Sequence, residues 1–202
     1  MYSKKTNLVF GFHGCDKDIR DIVINGGELK PSLNSYDWLG NGIYFWEADP
    51  QRALEWAKQA ALRKSSSVKT PAVLGAIIDL GNCLDLMNRQ SIPMLQYGYE
   101  WLKISYKKQY KSLPQNKNVK NNADMLYRDL DCAVIQKIHE LATKNPNMMP
   151  FDSVRGLFIE GKEPYAGSGF REKTHIQLCI VNPNCIKGYF LPRKLNSEYQ
   201  IP

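Results

Sequence analysis

Segments of β-type composition stand at both ends of this chain, and its two longest helical segments lie between them. Leu8-Val9-Phe10-Gly11-Phe12-His13 is short and rich in β-formers, and Gly42-Ile43-Tyr44-Phe45-Trp46 and residues 70–80 read the same way. Residues 154–159, 174–181 and 185–191 return to this pattern at the other end, and the Asn182-Pro183-Asn184 turn predicts a hairpin between the last two. Apolar spacing predicts helices over 16–25, opened by Asp16, over 51–63, opened by Asp49-Pro50, and over 92–110 and 124–143. Such an order predicts an α+β fold, because a doubly wound sheet needs strands and helices in regular alternation. The chain has neither G-x-G-x-x-G nor a Walker-type loop, which removes support for a Rossmann or P-loop nucleotide site. It also has no internal repeat, which excludes solenoids and propellers.

A chain of 202 residues with 43% apolar content can build a real core, so disorder and a disulfide-dependent minidomain are excluded. One domain over 1–202 is expected, with a helical insertion at about 89–150. The apolar run at 72–78 is too short to span a bilayer, and Leu8-Val9-Phe10 behind the basic start is too short for a secretory signal. Five cysteines without a C-x-x-C pair fit a reduced, cytoplasmic chain in which most of them act as small buried apolar residues. The 27 Lys+Arg outnumber the 20 Asp+Glu to give +7, a balance that suits a phosphate-bearing partner without naming one.

Three patches carry chemical interest. In Gly11-Phe12-His13-Gly14-Cys15, the glycine leaves backbone groups open to a ligand and the imidazole can bond a sugar hydroxyl. An H-G pair also suits a core or turn histidine. In Gly40-Asn41-Gly42-Ile43-Tyr44-Phe45-Trp46, with Trp56 twelve residues after Tyr44, aromatics offer flat walls for a ring. Core packing is the better reading for Phe45 and Trp46, while Tyr44 alternates to the face opposite Phe45. In 174–180, His175, Gln177 and Cys179 share one strand face, and Ile176, Leu178 and Ile180 share the other. The polar face lines a site or meets solvent.

In this order the patches match a family. The chain resembles the ADP-ribosyltransferases of the diphtheria-toxin and poly(ADP-ribose) polymerase branch, called H-Y-E after their three site residues. His13-Gly14 stands at the H-G motif, Gly40-Asn41-Gly42-Ile43-Tyr44-Phe45 reproduces G-x-G-I-Y-F letter for letter, and Trp56 matches a second aromatic that often sandwiches nicotinamide. The likeness reaches from Leu8 to about Phe190 and thins between Lys64 and Pro150. It implies two packed, antiparallel-rich sheets around an NAD cleft with flanking helices. It also implies NAD as substrate, with no metal, bound by His13, Gly14, Gly42, Tyr44 and Trp56.

One position departs from the family name. Gln177 stands where the catalytic glutamate is usual, and an amide bonds a hydroxyl but brings no net charge. Polymer elongation is therefore not expected; single transfer, NAD hydrolysis or a silent NAD or ADP-ribose binding module remain. Glu160, closing Leu157-Phe158-Ile159-Glu160, is the leading source of the missing charge or a solvated strand-end residue. The catalytic set implied is His13, Tyr44, Gln177 and Glu160.

The acceptor expected first is an RNA or DNA base, then a protein side chain. Lys103, Lys107, Lys108, Lys111, Lys117 and Lys120 occur with Tyr106 and Tyr110 over 103–120, a pattern that neutralises phosphates and stacks on unpaired bases, or that is a solvated helix end and loop. The resemblance further implies a toxin or effector module with an antitoxin partner. An RNA 2′-phosphotransferase would need further His/Arg phosphate ligands that the sequence does not display, and the spacing of His175, Cys179 and Cys185 suits no usual zinc site.

Overall fold

The computed structural model describes residues 8–118 and 125–200. Its elements in chain order are β1 (Leu8–Asp16), α1 (Lys17–Ile24), β2 (Ile43–Glu47), α2 (Pro50–Ala61), β3 (Pro71–Asp79), β4 (Cys83–Asp85) and α3 (Ile92–Lys108). There follow β5 (Asn116–Lys117), β6 (Tyr127–Arg128), α4 (Asp129–Lys144), β7 (Ser153–Phe158), β8 (His175–Ile180) and β9 (Ile186–Phe190). The α+β reading holds. Helix starts follow local chemistry: Asp16 accepts from the Asp18 N–H at the head of α1, and Asp49 accepts from the Arg52 N–H ahead of Pro50.

Two expectations are corrected. In place of two packed sheets, seven strands form one sheet in the order β4-β7-β8-β2-β1-β3-β9, with β5 and β6 as a separate ribbon. Every neighbour in the large sheet is antiparallel except β4 beside β7. The joint between its halves is narrow. β1 pairs with β3 from Leu8 to Asp16, yet meets β2 only at Gly11↔Glu47 and Phe12↔Trp46.

The hairpin predicted between the last two strands also does not form. Both edges of β8 are already taken, by β2 and β7, and a strand has only two. β9 therefore crosses to the far edge and pairs with β3, where Gly75 leaves room for the Phe190 ring. The Asn182 turn instead ties to Asp152, whose carbonyl accepts its N–H at 2.9 Å and whose carboxylate accepts its side-chain amide at 2.8 Å.

The sheet buries both faces. Phe45, Leu74, Ile78, Leu178 and Ile180 form one core. Leu39, Leu84, Val154 and Cys179 form the other with Leu102 of α3 and Val134, Ile135 and Ile138 of α4, so α3 and α4 pack as part of the sheet's own core. Cys15, Cys132, Cys179 and Cys185 are buried, Cys83 is half-buried, and all five are free thiols. Among the described residues no helix is long and apolar enough to cross a membrane.

Candidate functional site

The narrow joint between β1 and β2 is where the H-G and G-x-G-I-Y-F residues meet. The Ala48 N–H donates to the Phe10 carbonyl at 2.8 Å, so Phe10 aims its backbone groups toward β2. Alternation then aims those of Phe12 and Gly14 the same way. The paired register stops at Phe12↔Trp46, and one step further the His13 side chain takes over: its Nδ1 lies 2.7 Å from the Tyr44 carbonyl oxygen. A carbonyl only accepts, so Nδ1 carries the proton. Burial lowers the His13 pKa below the usual 6.5, against a smaller opposing effect from this hydrogen bond. The ring is therefore neutral at pH 7, and its Nε2 is an acceptor suited to a hydroxyl donor.

Gly14 is small for a reason the sequence does not display. A Cβ there would come 2.2 Å from the Ala53 carbonyl oxygen of α2 and 3.3 Å from the Trp56 ring. Helix α2 lies directly on the glycine, and Trp56 sits over it. Gly42 is likewise set by packing, since a Cβ would meet Cys179 Sγ and the Ile180 carbonyl at 2.6 Å. Its own N–H and C=O exchange hydrogen bonds with Ser32.

The aromatic residues are distributed rather than gathered. The Tyr44 hydroxyl donates to the Gly40 carbonyl at 2.8 Å and accepts from the Leu39 N–H at 3.0 Å, and burial holds the phenol protonated. Its ring packs with the α3–α4 core, while the His13 ring lies 5.7 Å from Phe45 on the other face. Trp56 is tilted against Trp46 at 5.8 Å. His13 and Tyr44 thus meet through a backbone carbonyl, not ring to ring, and the second aromatic wall nearest Trp56 is Trp46.

Gln177 is held firmly. Its Oε1 accepts from Trp38 Nε1 at 2.6 Å, and since an indole N–H only donates, this bond fixes which end of the amide is oxygen. The amide NH₂ is left as a donor. Trp38 in turn lies across Gly156, where a Cβ would come 2.6 Å from its ring, and it carries the Arg128 guanidinium 4.8 Å above it. In register Gln177 stands opposite Trp46 on β2 and Gly156 on β7.

Glu160 is neither solvated nor free to swing. It pairs with Arg52 Nη2 at 2.7 Å, with side chains only 12% and 7% exposed. Arg52 keeps Nε and Nη1 buried without partners, as do Trp46 Nε1 and His175 Nε2 nearby. The Arg52 guanidinium lies 5.9 Å over Trp46, and His175 stacks on Phe158 at 5.5 Å with Nδ1 donating to the Lys173 carbonyl at 2.6 Å. Burial, and then the neighbouring arginine charge, lowers the His175 pKa, so this ring too is neutral. Trp38, Arg52 and Arg128 were not legible as site residues, because Gln177, Glu160 and the Trp38 ring that they respectively meet stand far away in sequence.

The basic stretch is partly structural. Tyr106 packs in the α3–α4 core, and Lys103 bonds Glu100 at 3.0 Å. Lys107, Lys108, Lys111, Lys117 and Tyr110 are exposed, while Lys120 lies outside the described residues.

No family model matches the chain, and no solved structure does. It is 27% identical over 197 residues to an uncharacterized protein of Methanocaldococcus jannaschii, covering 87% of this chain and 83% of the relative. That likeness brings no activity with it. The chemistry available at the joint is therefore an acceptor nitrogen on His13, Gly14 backbone groups aimed at β2 and an indole above them; the oriented amide of Gln177 stands on β8, on the face opposite the His13 ring.

Proposed function

We propose that the chain is a mono-ADP-ribosyltransferase that uses NAD and modifies a macromolecular acceptor, a nucleic-acid base in preference to a protein side chain. The carrying observation is the His13–Tyr44 bond at the end of the β1–β2 ladder, with Gly14 one step beyond it. Bound NAD supplies a ribose bond to a cationic pyridinium, whose cleavage releases neutral nicotinamide as the sugar carbon bonds an acceptor that gives up its proton.

The chain's residues position and stabilise. Gly14 N–H and C=O suit a carboxamide, which has one donor and one acceptor edge, and Trp56 covers the ring beside it. The Tyr44 hydroxyl anchors Leu39 and Gly40 and so holds the loop from which Trp38 reaches Gln177. His13 Nε2 accepts from a ribose hydroxyl. The resemblance assigns the Gln177 NH₂ to the neighbouring 2′-hydroxyl, which requires the sugar to reach past the joint to the face opposite the His13 ring, while the amide Oε1 is kept by Trp38. Positioning of this kind supports catalysis where charge develops on the sugar.

A second reading has its own observation. Gln177 is uncharged and Glu160 is committed to Arg52, so the site has no free carboxylate among the residues assigned to it. A silent NAD or ADP-ribose binding module fits that arrangement. Incubating the purified chain with nicotinamide-labelled NAD separates the two: released nicotinamide supports the transferase, and NAD binding without release supports the module. Transferred label in RNA, single-stranded DNA or lysate protein then identifies the acceptor class. A toxin or effector role, with an antitoxin partner, belongs to the same proposal.

A further inference from the structure

A cavity of about 330 Å³ opens between α3, α4 and the loop carrying Trp38. Its walls include Trp38, Leu95, Tyr99 and Ile135, and its polar groups are Gln96, Arg128 and Asp131. This is the size and make-up of a site for one planar heterocycle: flat apolar walls with a few groups that read a polar edge. Gln96 offers an amide, with both donor and acceptor, at an exposed position on α3. Arg128 is held by Asp131 at 2.5 Å and lies over Trp38, so guanidinium and carboxylate stand together at the rim.

Two features connect the cavity to its surroundings. Trp38, one of its walls, is the residue bonded to Gln177 at 2.6 Å. Tyr99, another wall, carries Lys103 Nζ 5.4 Å over its ring, and one turn along α3 come the exposed Lys107 and Lys108. Lys103 is shared with Glu100 at 3.0 Å, so the cations open to a phosphate-linked strand with one base seated are Lys107 and Lys108, further along the helix that carries Tyr99.

We propose that this cavity binds a single nucleobase of a nucleic-acid strand. The inference rests on the transferase reading in one respect, that the seated base is the acceptor; binding itself needs no NAD.

The test uses the whole chain without NAD, titrated by calorimetry and tryptophan fluorescence with the four ribonucleosides, short single-stranded RNA or DNA, and an aromatic tripeptide. At least one nucleoside binds, and the oligonucleotide containing that base binds more tightly and with salt dependence. Gln96→Ala, at an exposed position, and Leu95→Trp, which fills the cavity, each weaken binding by about tenfold or more. Leu95→Trp is checked for an unchanged melting temperature, and Gln96→Ala stands alone if it is destabilised. Absence of nucleoside binding, equal binding by both variants, or preference for the tripeptide would overturn the proposal. Nucleoside binding in a chain that releases no nicotinamide would keep the cavity and remove the transferase.

Discussion

The imidazole of His13 and the carbonyl oxygen of Tyr44, 2.7 Å apart, meet at the point where the ladder between β1 and β2 ends. A side chain takes the place of the next backbone donor, so the two strands remain tied while Gly14 keeps its edge toward the joint. The bond also sets the histidine tautomer, and so leaves Nε2 as the acceptor.

Tyr44→Phe tests the structural part of this arrangement. It removes one hydroxyl and leaves the Leu39 N–H and Gly40 carbonyl without their partner. Unfolding free energy should fall by about 1–3 kcal/mol, read from urea midpoints. An unchanged midpoint would mean that the hydroxyl does not hold this loop.

Arg52 and Glu160 form a buried pair, and Arg52 already has two nitrogens without partners. Glu160→Gln strands the guanidinium charge and is expected to cost about 3–5 kcal/mol, whereas the double change Arg52→Met with Glu160→Leu costs less. Urea denaturation of the three proteins checks this. Full stability of Glu160→Gln together with a lowered NAD turnover would instead assign the carboxylate to the reaction.

In the proposed reaction Trp38 acts through Gln177, to which its indole N–H donates. Trp38→Phe keeps an aromatic wall but removes the N–H that orients the amide, so kcat for NAD cleavage should fall about tenfold with KM nearly unchanged. Gln177→Glu supplies a carboxylate beside the developing positive charge and should raise the rate about tenfold or more. Equal rates in both variants and the parent chain would place Gln177 outside the site.

Stability should depend on pH in a defined way. Burial lowers the pKa of His13, His139 and His175 below 6.5. The unfolded chain then binds more protons as pH falls through about 6.5, so stability is full above that point and declines below it. At the other end, burial raises the Cys15, Cys83 and Cys132 thiols from 9.0 to about 11. There the unfolded chain loses protons first, and stability declines as pH rises past about 9. Urea midpoints from pH 5 to 10 should show a plateau between the two; a midpoint rising on acidification from pH 7 to 5.5 would contradict the histidine assignment.

Local chemistry made many elements legible before the structure. Asp16 and Asp49-Pro50 mark helix starts because their capping bonds span two or three residues. Phe45 and Tyr44 face opposite ways because a strand alternates. Pairing across the chain was not legible. The Asn182 turn looks like a hairpin, yet whether β8 has a free edge depends on β2 and β7. Gly14 looks open to a ligand, yet its size is dictated by the backbone of α2. Gln177 carries no mark of Trp38, nor Glu160 of Arg52, because each contact joins segments more than a hundred residues apart.

The most direct measurement is nicotinamide release from labelled NAD by the purified chain and by His13→Ala, both shown folded by their melting curves. The account expects release by the parent chain and a loss of about 10²-fold or more in the variant. Equal release by the two proteins, or none by the parent chain in the presence of RNA, DNA and protein acceptors, would contradict it.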